Sequence, residues 1–423
     1  MHVTVKTILN HVHPIGGFVY EDERLVKRGA RWCVEVTIRP HRQREPLCGL
    51  CRQPGTCHGH TDEREWTFVP LFGLDAVLKY TPRRVDCPTD GVHVEWMPWN
   101  KGKRPTALVM MLFLGNWARR LSWKETAGIF HVSWQTVQRS VQWMVEWGLK
   151  HRVLDGIRAI GIDELHIGRG KRSGNFITVI YQIDTHCRRL LWVGRKRTQA
   201  TLRRGLKALG DSILGGIRYV CSDLWKAYLT VVAKKLPQAI HLLDRFHVVQ
   251  HMNQAVDELR RRESAAVGQT TADGKRLKKM RWSLLKRGTR VLGKAREKLH
   301  ALIRSRSKTA RGYVLKEAFQ HFWTYRHPTW ARAFLVQWIR RAKRSRLPPM
   351  IKVARMLEKH QPLLLNWIQA RREVRSGAVE GFNNKARVIT KRAYGFRTYE
   401  TLELALYHNL AQLPQPEVTH KLW

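Results

Sequence analysis

The sequence predicts an α/β protein built on a mixed sheet, interrupted by a large helical insertion and preceded by two small modules, a cysteine knuckle and a pair of short helices. Three observations carry this. Between residues 157 and 243, β-branched apolar runs and amphipathic stretches alternate in a βββαβαβ order. Between about 105 and 150 the apolar period is helical. Finally, 157 residues separate Asp223, at the end of a strand-like run, from Glu380 on a basic amphipathic segment. One crossover needs far fewer, so helices must fill the interval.

Composition narrows the partner. The 423 residues include 77 Lys and Arg against 33 Asp and Glu, a formal charge of +44 with a pI near 10.9. The positive charge is spread over the whole length, so extended nucleic acid is the partner it fits. An apolar fraction of 43% and 17 Trp exclude a disordered basic tail. The longest apolar run, Ala107 to Leu114, is too short to span a bilayer, and the first residues lack the apolar core of a signal peptide. The expectation is a cytoplasmic, nucleoid-associated protein with no membrane partner. Five of the seven cysteines precede residue 90, a distribution that suits metal binding better than disulfides.

Residues 1–100 read as a module of strands around a zinc site. Cys48-Gly-Leu-Cys51 has the gap with which a knuckle offers two thiolates to one ion, and Cys87 is a third donor. Asp90 stands where a partner thiol is expected; Asp90, Cys57, His58, His60 or His93 could supply the fourth ligand. Cys187 and Cys221 lie in apolar stretches and read as buried small residues. In residues 101–152, Ser122-Trp-Lys-Glu125 is a capping box, and Ser133 can cap a second helix through Trp134 to Arg139. Two helices and a tight turn predict a helix-turn-helix that reads DNA with Ser133, Gln135, Thr136 and Arg139. Trp134, Val137, Val141, Trp143 and Trp147 are expected in its core.

Residues 153–247 hold the predicted sheet. Ile157–Ile162, Phe176–Ile183 and Leu190–Val193 should form an antiparallel meander with turns at 168–174 and 184–188. A helix near 198–209, a strand at 217–221, a helix near 224–235 and a strand at 239–243 follow. If the strands ending at Asp163 and Asp223 are neighbours, the two carboxylates lie about 5 Å apart and need a divalent cation between them. Glu164 should point to the opposite side of its strand, Asp184 reads as a turn residue, and Asp244 as a helix cap and the alternative ligand. In the insertion, 248–375, the stretch from Lys275 to Arg311 has fifteen Lys and Arg and one acid, Glu297, which reads as a phosphate-binding surface or a flexible arm. Its Trp282, Trp323, Trp330 and Trp338 are expected in a core, with stacking on bases as the alternative. In 376–423, Glu380, Asn383, Asn384, Arg387 and Lys391 share a helical face, where one carboxylate could reach metal while amides and cations grip DNA.

Three segments carry a resemblance: Val220-Cys-Ser-Asp223-Leu-Trp-Lys-Ala-Tyr228, Leu243-Asp-Arg-Phe-His247, and Glu380-Gly-Phe-Asn-Asn-Lys-Ala-Arg387 with Arg392-Ala-Tyr-Gly-Phe-Arg397. They resemble the DDE transposases of the ISL-three family of bacterial insertion sequences. The resemblance spans essentially the whole chain. It implies a ribonuclease-H-like core in which Asp163, Asp223 and Glu380 form the acidic triad and hold Mg²⁺ or Mn²⁺. Double-stranded DNA, both element ends and target, is the implied substrate, and a homodimer or larger synaptic assembly the implied state. The chain departs from the family at Asp90, where a cysteine is usual. A binding-only regulator and a nuclease unable to join strands are the alternative activities.

Overall fold

The computed structural model describes residues 4–167, 176–223, 225–370, 373–374 and 377–416. The chain divides into two compact units, Met1–Val153 with Arg387–Trp423, and Leu154–Ala386. Mixed sheets and many helices make up the described residues.

The first unit opens with the helix Val5–Val12, followed by strands β1 (Phe18–Arg28), β2 (Arg31–Pro40), β3 (Thr56–His60), β4 (Arg64–Leu71), β5 (Leu74–Tyr80), β6 (Arg83–Cys87) and β7 (Gly91–Val94). They form a four-stranded sheet ordered β1-β2-β5-β4 and a three-stranded sheet ordered β3-β6-β7. Alternation explains the first sheet's core face: in β2, Val34, Val36 and Ile38 are buried, and in β4, Trp66 and Phe68. Trp99 seals it, meeting Phe18, Trp66 and Tyr80 edge-on at centroid distances of 4.8, 5.8 and 5.4 Å. Glu95 is buried because Arg83 and Tyr80 satisfy its carboxylate.

Three helices follow, Leu108–Trp117, Trp123–Ile129 and Trp134–His151. The first is apolar all round and accordingly buried. The capping box expected at Ser122 is present, with the Ser122 hydroxyl accepting from the Glu125 N–H at 3.2 Å and the Glu125 carboxylate from the Ser122 N–H at 2.8 Å. Ser133 caps the next helix through the Thr136 N–H at 3.1 Å. Between them His131 takes the left-handed conformation, φ 51°, and reaches Asp75 at 3.0 Å. Val137, Val141 and Trp143 are buried as expected, but Trp134 is 49% exposed, because the first turn of its helix projects beyond the core. Trp147 is half-buried and stacks on His151 at 4.0 Å. The helix Tyr399–Leu410 completes the unit, and Leu413 fills the space that the missing side chain of Gly148 leaves.

Two histidines make this unit acid-sensitive. Burial holds His13 at about 4 and His408 at about 3, the latter with Arg119 and Arg392 adding to the effect. Neither ring nitrogen of His408 has a hydrogen-bond partner among the described residues. Both groups therefore stay neutral in the folded chain while the unfolded chain protonates them near 6.5, so stability is present above pH 6.5 and lost as pH falls toward 4. Denaturation at pH 7.5 and pH 5 should differ by up to about 2 kcal/mol for each histidine. Replacing His408 with Leu should flatten that dependence, and an unaltered slope in the variant would contradict it.

The second unit holds a five-stranded sheet of β8 (Ala159–His166), β9 (Phe176–Ile183), β10 (Arg188–Arg195), β11 (Tyr219–Ser222) and β12 (Ile240–Leu243), ordered β10-β9-β8-β11-β12. β8, β9 and β10 are the antiparallel meander, whereas β11 lies parallel to both β8 and β12. The expected turn at 168–174 lies outside the described residues. Asp184 is more than a turn residue: it is buried and accepts from the Gln182 amide at 2.8 Å. Crossover helices Gln199–Leu209 and Lys226–Lys235 bracket a short additional helix, Asp211–Gly216. Cys221 is buried and Cys187 half-buried.

Past β12 the chain is helical from Arg245–Ala266 to Gln361–Gln369, with its own core around Met252, Val256, Phe319, Leu335, Trp338 and Met350. The four tryptophans divide: Trp338 is core, Trp323 packs partly buried against it, and Trp282 and Trp330 are each 67% exposed. The excursion closes where it began. The Asn366 amide donates to the His241 carbonyl at 2.8 Å, and the Trp367 indole donates to the Leu243 carbonyl. The helix Ala378–Arg392 then carries Glu380.

Candidate active site

The register of the sheet decides which acidic residues meet. Ser222 lies opposite Ile162 on one side and Leu243 on the other. The next residues are Asp223, Asp163 and Asp244, so three aspartates stand at one level across adjacent parallel strands, spaced by roughly 4.8 Å per strand. Asp163 is 3% exposed, and Asp244 5%. Asp244 caps the helix Arg245–Ala266, accepting from the Phe246 N–H at 2.9 Å. That helix puts His247 over the row, with Nδ1 at 3.3 Å from Asp244 Oδ2 and 3.7 Å from Asp223 Oδ1.

The electrostatics follow from burial and charge. Desolvation pushes Asp163 up to about 7, against the opposing pull of His247, the Glu164 N–H and Asn383. Desolvation would lower His247, but Asp244, Asp223 and Asp163 together hold it at about 9. The site thus carries one imidazolium among three aspartates, with too little positive charge for all of them. Glu164 is half-buried and paired with Arg197, whose guanidinium lies over the Trp225 ring at 4.7 Å, and it is close enough to Asp223 and His247 to feel their charges.

Glu380 arrives on a helix that is anchored to the sheet. Gly161 on β8 makes the approach possible, since a Cβ there would sit 2.4 Å from Val379 Cγ2. Phe382 stacks on Tyr181 of β9 at a centroid distance of 4.5 Å and 11°. Between these contacts Asn383, 6% exposed, donates its amide to Asp163 Oδ2 and accepts from the Tyr181 hydroxyl at 3.3 Å. The expected face of Glu380, Asn383, Asn384, Arg387 and Lys391 is therefore divided. Asn383 belongs to the buried stripe with Val379, Phe382 and Ala386; Asn384, Arg387 and Lys391 are exposed, and Glu380 is half-buried at the boundary. Sequence reasoning gave His247 no role and Asn383 a DNA-gripping one, and the contact of each with the acidic row was missed. Both carried a signal: an amide in an i, i+3, i+4, i+7 apolar stripe needs a buried partner, and a histidine three residues after an Asp cap faces that cap.

A second cluster lies in the first unit. Cys48, Cys51, Cys87 and Asp90 have their donor atoms within 4.8 Å of one another. Cys48 Sγ is 3.4 Å from Asp90 Oδ2, Cys51 Sγ is 3.5 Å from Cys87 Sγ, and Cys87 Sγ is 3.7 Å from Asp90 Oδ2. A zinc tetrahedron with bonds of about 2.3 Å has edges of roughly 3.8 Å, so this donor set is compatible with zinc. Of the candidate fourth ligands, Asp90 is the one gathered; His93 instead contacts the Asp90 carbonyl at 2.8 Å. Among the described residues no other three such donors gather as tightly, the acidic row included.

The class that the fold and its acidic row indicate is confirmed by comparison with known proteins. The chain belongs to the ISL-three (ISL3) family of DDE transposases: the family model, described as "Transposase", matches residues 160–406. It is 26% identical over 399 residues to the transposase for insertion sequence element IS1557 of Mycobacterium tuberculosis, from strains CDC 1551 and H37Rv, covering 88% of this chain and 87% of that protein. It is 25% identical over 356 residues to the transposase for insertion sequence element IS1001 of Bordetella parapertussis, covering 83% and 86%. The protein is a DNA transposase of an insertion sequence, and no helix among its described residues is long and apolar enough to cross a membrane.

Proposed function

We propose that the protein binds the terminal inverted repeats of its element, cuts there and joins the freed strand to target DNA, with Asp163, Asp223 and Glu380 as its catalytic carboxylates. One observation carries the reading. Asp163 and Asp223 are level on adjacent parallel strands, and the helix bearing Glu380 is tied to Asp163 through Asn383. In this reading the sheet is a ribonuclease-H-like core made of 153–247 and 376–423, with 248–375 inserted. Residues 1–100 form a zinc-binding module and 101–152 a helix-turn-helix domain. The oxygen donors suit Mg²⁺ or Mn²⁺, and burial, with Asp244 beside it, raises the proton affinity of Asp163, a penalty that a bound cation would offset.

Divalent ions held by the three carboxylates would supply an activated nucleophile and stabilise the leaving oxygen. The chain's own residues set the geometry. Asn383 fixes the rotamer of Asp163, Tyr181 fixes Asn383, and Asp244 holds His247 beside Asp223. Asn384, Arg387 and Lys391 lie exposed along the helix of Glu380 and would meet backbone phosphates. Gln135 and Arg139 are exposed on the helix Trp134–His151 and would read base edges, while Ser133 and Thr136, whose hydroxyls are 2.9 Å apart, would set its first turn against the backbone. Pairing two element ends calls for a homodimer or larger assembly.

The test is a cleavage and joining assay on a labelled duplex carrying the element end, with Mg²⁺ or Mn²⁺, run beside Asp223→Asn. Metal-dependent nicking and joined products should appear with the native chain and vanish in the variant while binding persists. Nicking that survives in the variant would remove Asp223 from the centre, and nicks without joined products would make the protein a nuclease.

A further inference from the structure

The helical insertion contains a cleft that the catalytic reading does not use. Its volume is about 740 Å³, and five arginines line it: Arg306, Arg311, Arg340, Arg341 and Arg344. No acidic residue does. All five are exposed, and none has an ion-pair partner among the described residues. Arg311 donates to the Ser345 carbonyl, which holds the two walls together. We propose that this cleft binds the sugar–phosphate backbone of duplex DNA, without regard to sequence, as a grip separate from the acidic row.

The charge arrangement argues against a merely solvated basic surface. Arg340, Arg341 and Arg344 share the last turns of the helix Pro328–Lys343 and its cap, where like charges three and four residues apart repel one another. The helix does use an acidic partner where one is at hand. Lys343, on the same turns, pairs with Glu358 at 2.6 Å, yet the arginines on the cleft side are left unpaired. A second cavity of similar size, about 770 Å³ in the first unit, is lined by Arg42 and Arg44 together with Glu45 and Asp86. A basic chain does not automatically empty its clefts of acids.

Chemistry selects the occupant. Planar guanidinium groups suit phosphate oxygens better than lysines do, and the floor of Ile303, Val314 and Leu315 can take the apolar faces of deoxyriboses. Gln337 is the one amide in the lining, so the cleft has little with which to read a sequence. Arg306 follows the helix Gly293–Arg304 in a left-handed conformation, φ 53°, where glycine is the usual residue.

The full-length triple variant Arg340→Gln, Arg341→Gln, Arg344→Gln tests the proposal against a random-sequence duplex. Each lost phosphate contact should lower the slope of log affinity against log salt by about 0.9, so the variant's slope should fall by about 2 to 3 while its melting temperature holds. The corresponding triple Lys variant, which keeps the charge, should retain most of the slope. An unchanged slope in the Gln variant, or a loss seen on element-end duplex and not on random duplex, would overturn the proposal. So would equal effects on inorganic polyphosphate and duplex. Failure of the native chain to bind any duplex would instead count against its action on DNA.

Discussion

Replacing Asp163 with Asn should abolish strand cleavage and joining, lowering both by at least about 10³-fold, while leaving the chain as stable as before or more so. The two halves of this expectation have one cause. Asp163 is 97% removed from solvent, and without a divalent ion the charge facing it is a single imidazolium shared with Asp223 and Asp244. A buried carboxylate in that position costs folding free energy that an isosteric amide does not. Metal-supported catalysis, in contrast, uses the negative charge, and loss of several kcal/mol of transition-state stabilisation corresponds to three or more decades in rate. Measuring thermal melting in chelator alongside product formation in Mg²⁺ separates the two. A variant that is both inactive and strongly destabilised would show Asp163 to be a structural residue, and one that cleaves at the native rate would remove it from the centre.

The same residue shows what the sequence could and could not reveal. The strand ending near Asp163 was legible because apolar runs of β-branched residues flanked it, and the antiparallel meander followed from the short gaps between 162, 176 and 190. The two short helices were legible from local chemistry, the capping box at Ser122 and the cap at Ser133, which act over three residues. What joins Asp163 to Asn383 spans 220 residues, and no local rule reaches that far. On the helix wheel Asn383 shares a face with Glu380, Asn384, Arg387 and Lys391, which suggests an amide that grips DNA rather than one that is buried. Its burial is decided by Gly161, whose missing side chain lets Val379 close on β8 and brings Asn383 down with it. Trp134 erred in the opposite direction: its spacing to Val137 and Val141 fits a core stripe, but a stripe says nothing about where the core ends. His247 lies in the recognisable Leu243–His247 segment, but its role depends on three strand ends coming level, which the sequence does not show.

Removing metal from the cysteine cluster should have the largest effect on stability. The native chain should carry one zinc, and a strong chelator or Cys48→Ala should lower the melting temperature of the first unit markedly. Structural zinc contributes about 10 to 16 kcal/mol in peptides with little other structure. Here β6 and β7 are already held by pairing, so a smaller fraction of that is expected. The four ligands come from two turns, Cys48 and Cys51 from the loop before β3 and Cys87 and Asp90 from the turn between β6 and β7, so the ion would join segments about 40 residues apart. Without it, three cysteine side chains and Asp90 would crowd one another at 3.4 to 3.7 Å with no cation. Asp90→Cys then provides the sharper comparison. It should hold zinc at least as tightly as the native set, because a fourth thiolate donates more strongly to a borderline-soft ion than a carboxylate does. Metal content measured by mass spectrometry, with melting curves in chelator, checks all three chains. Equal melting of native and chelated protein, with no zinc bound by the Cys variant either, would make the cluster a packing arrangement of thiols and a carboxylate.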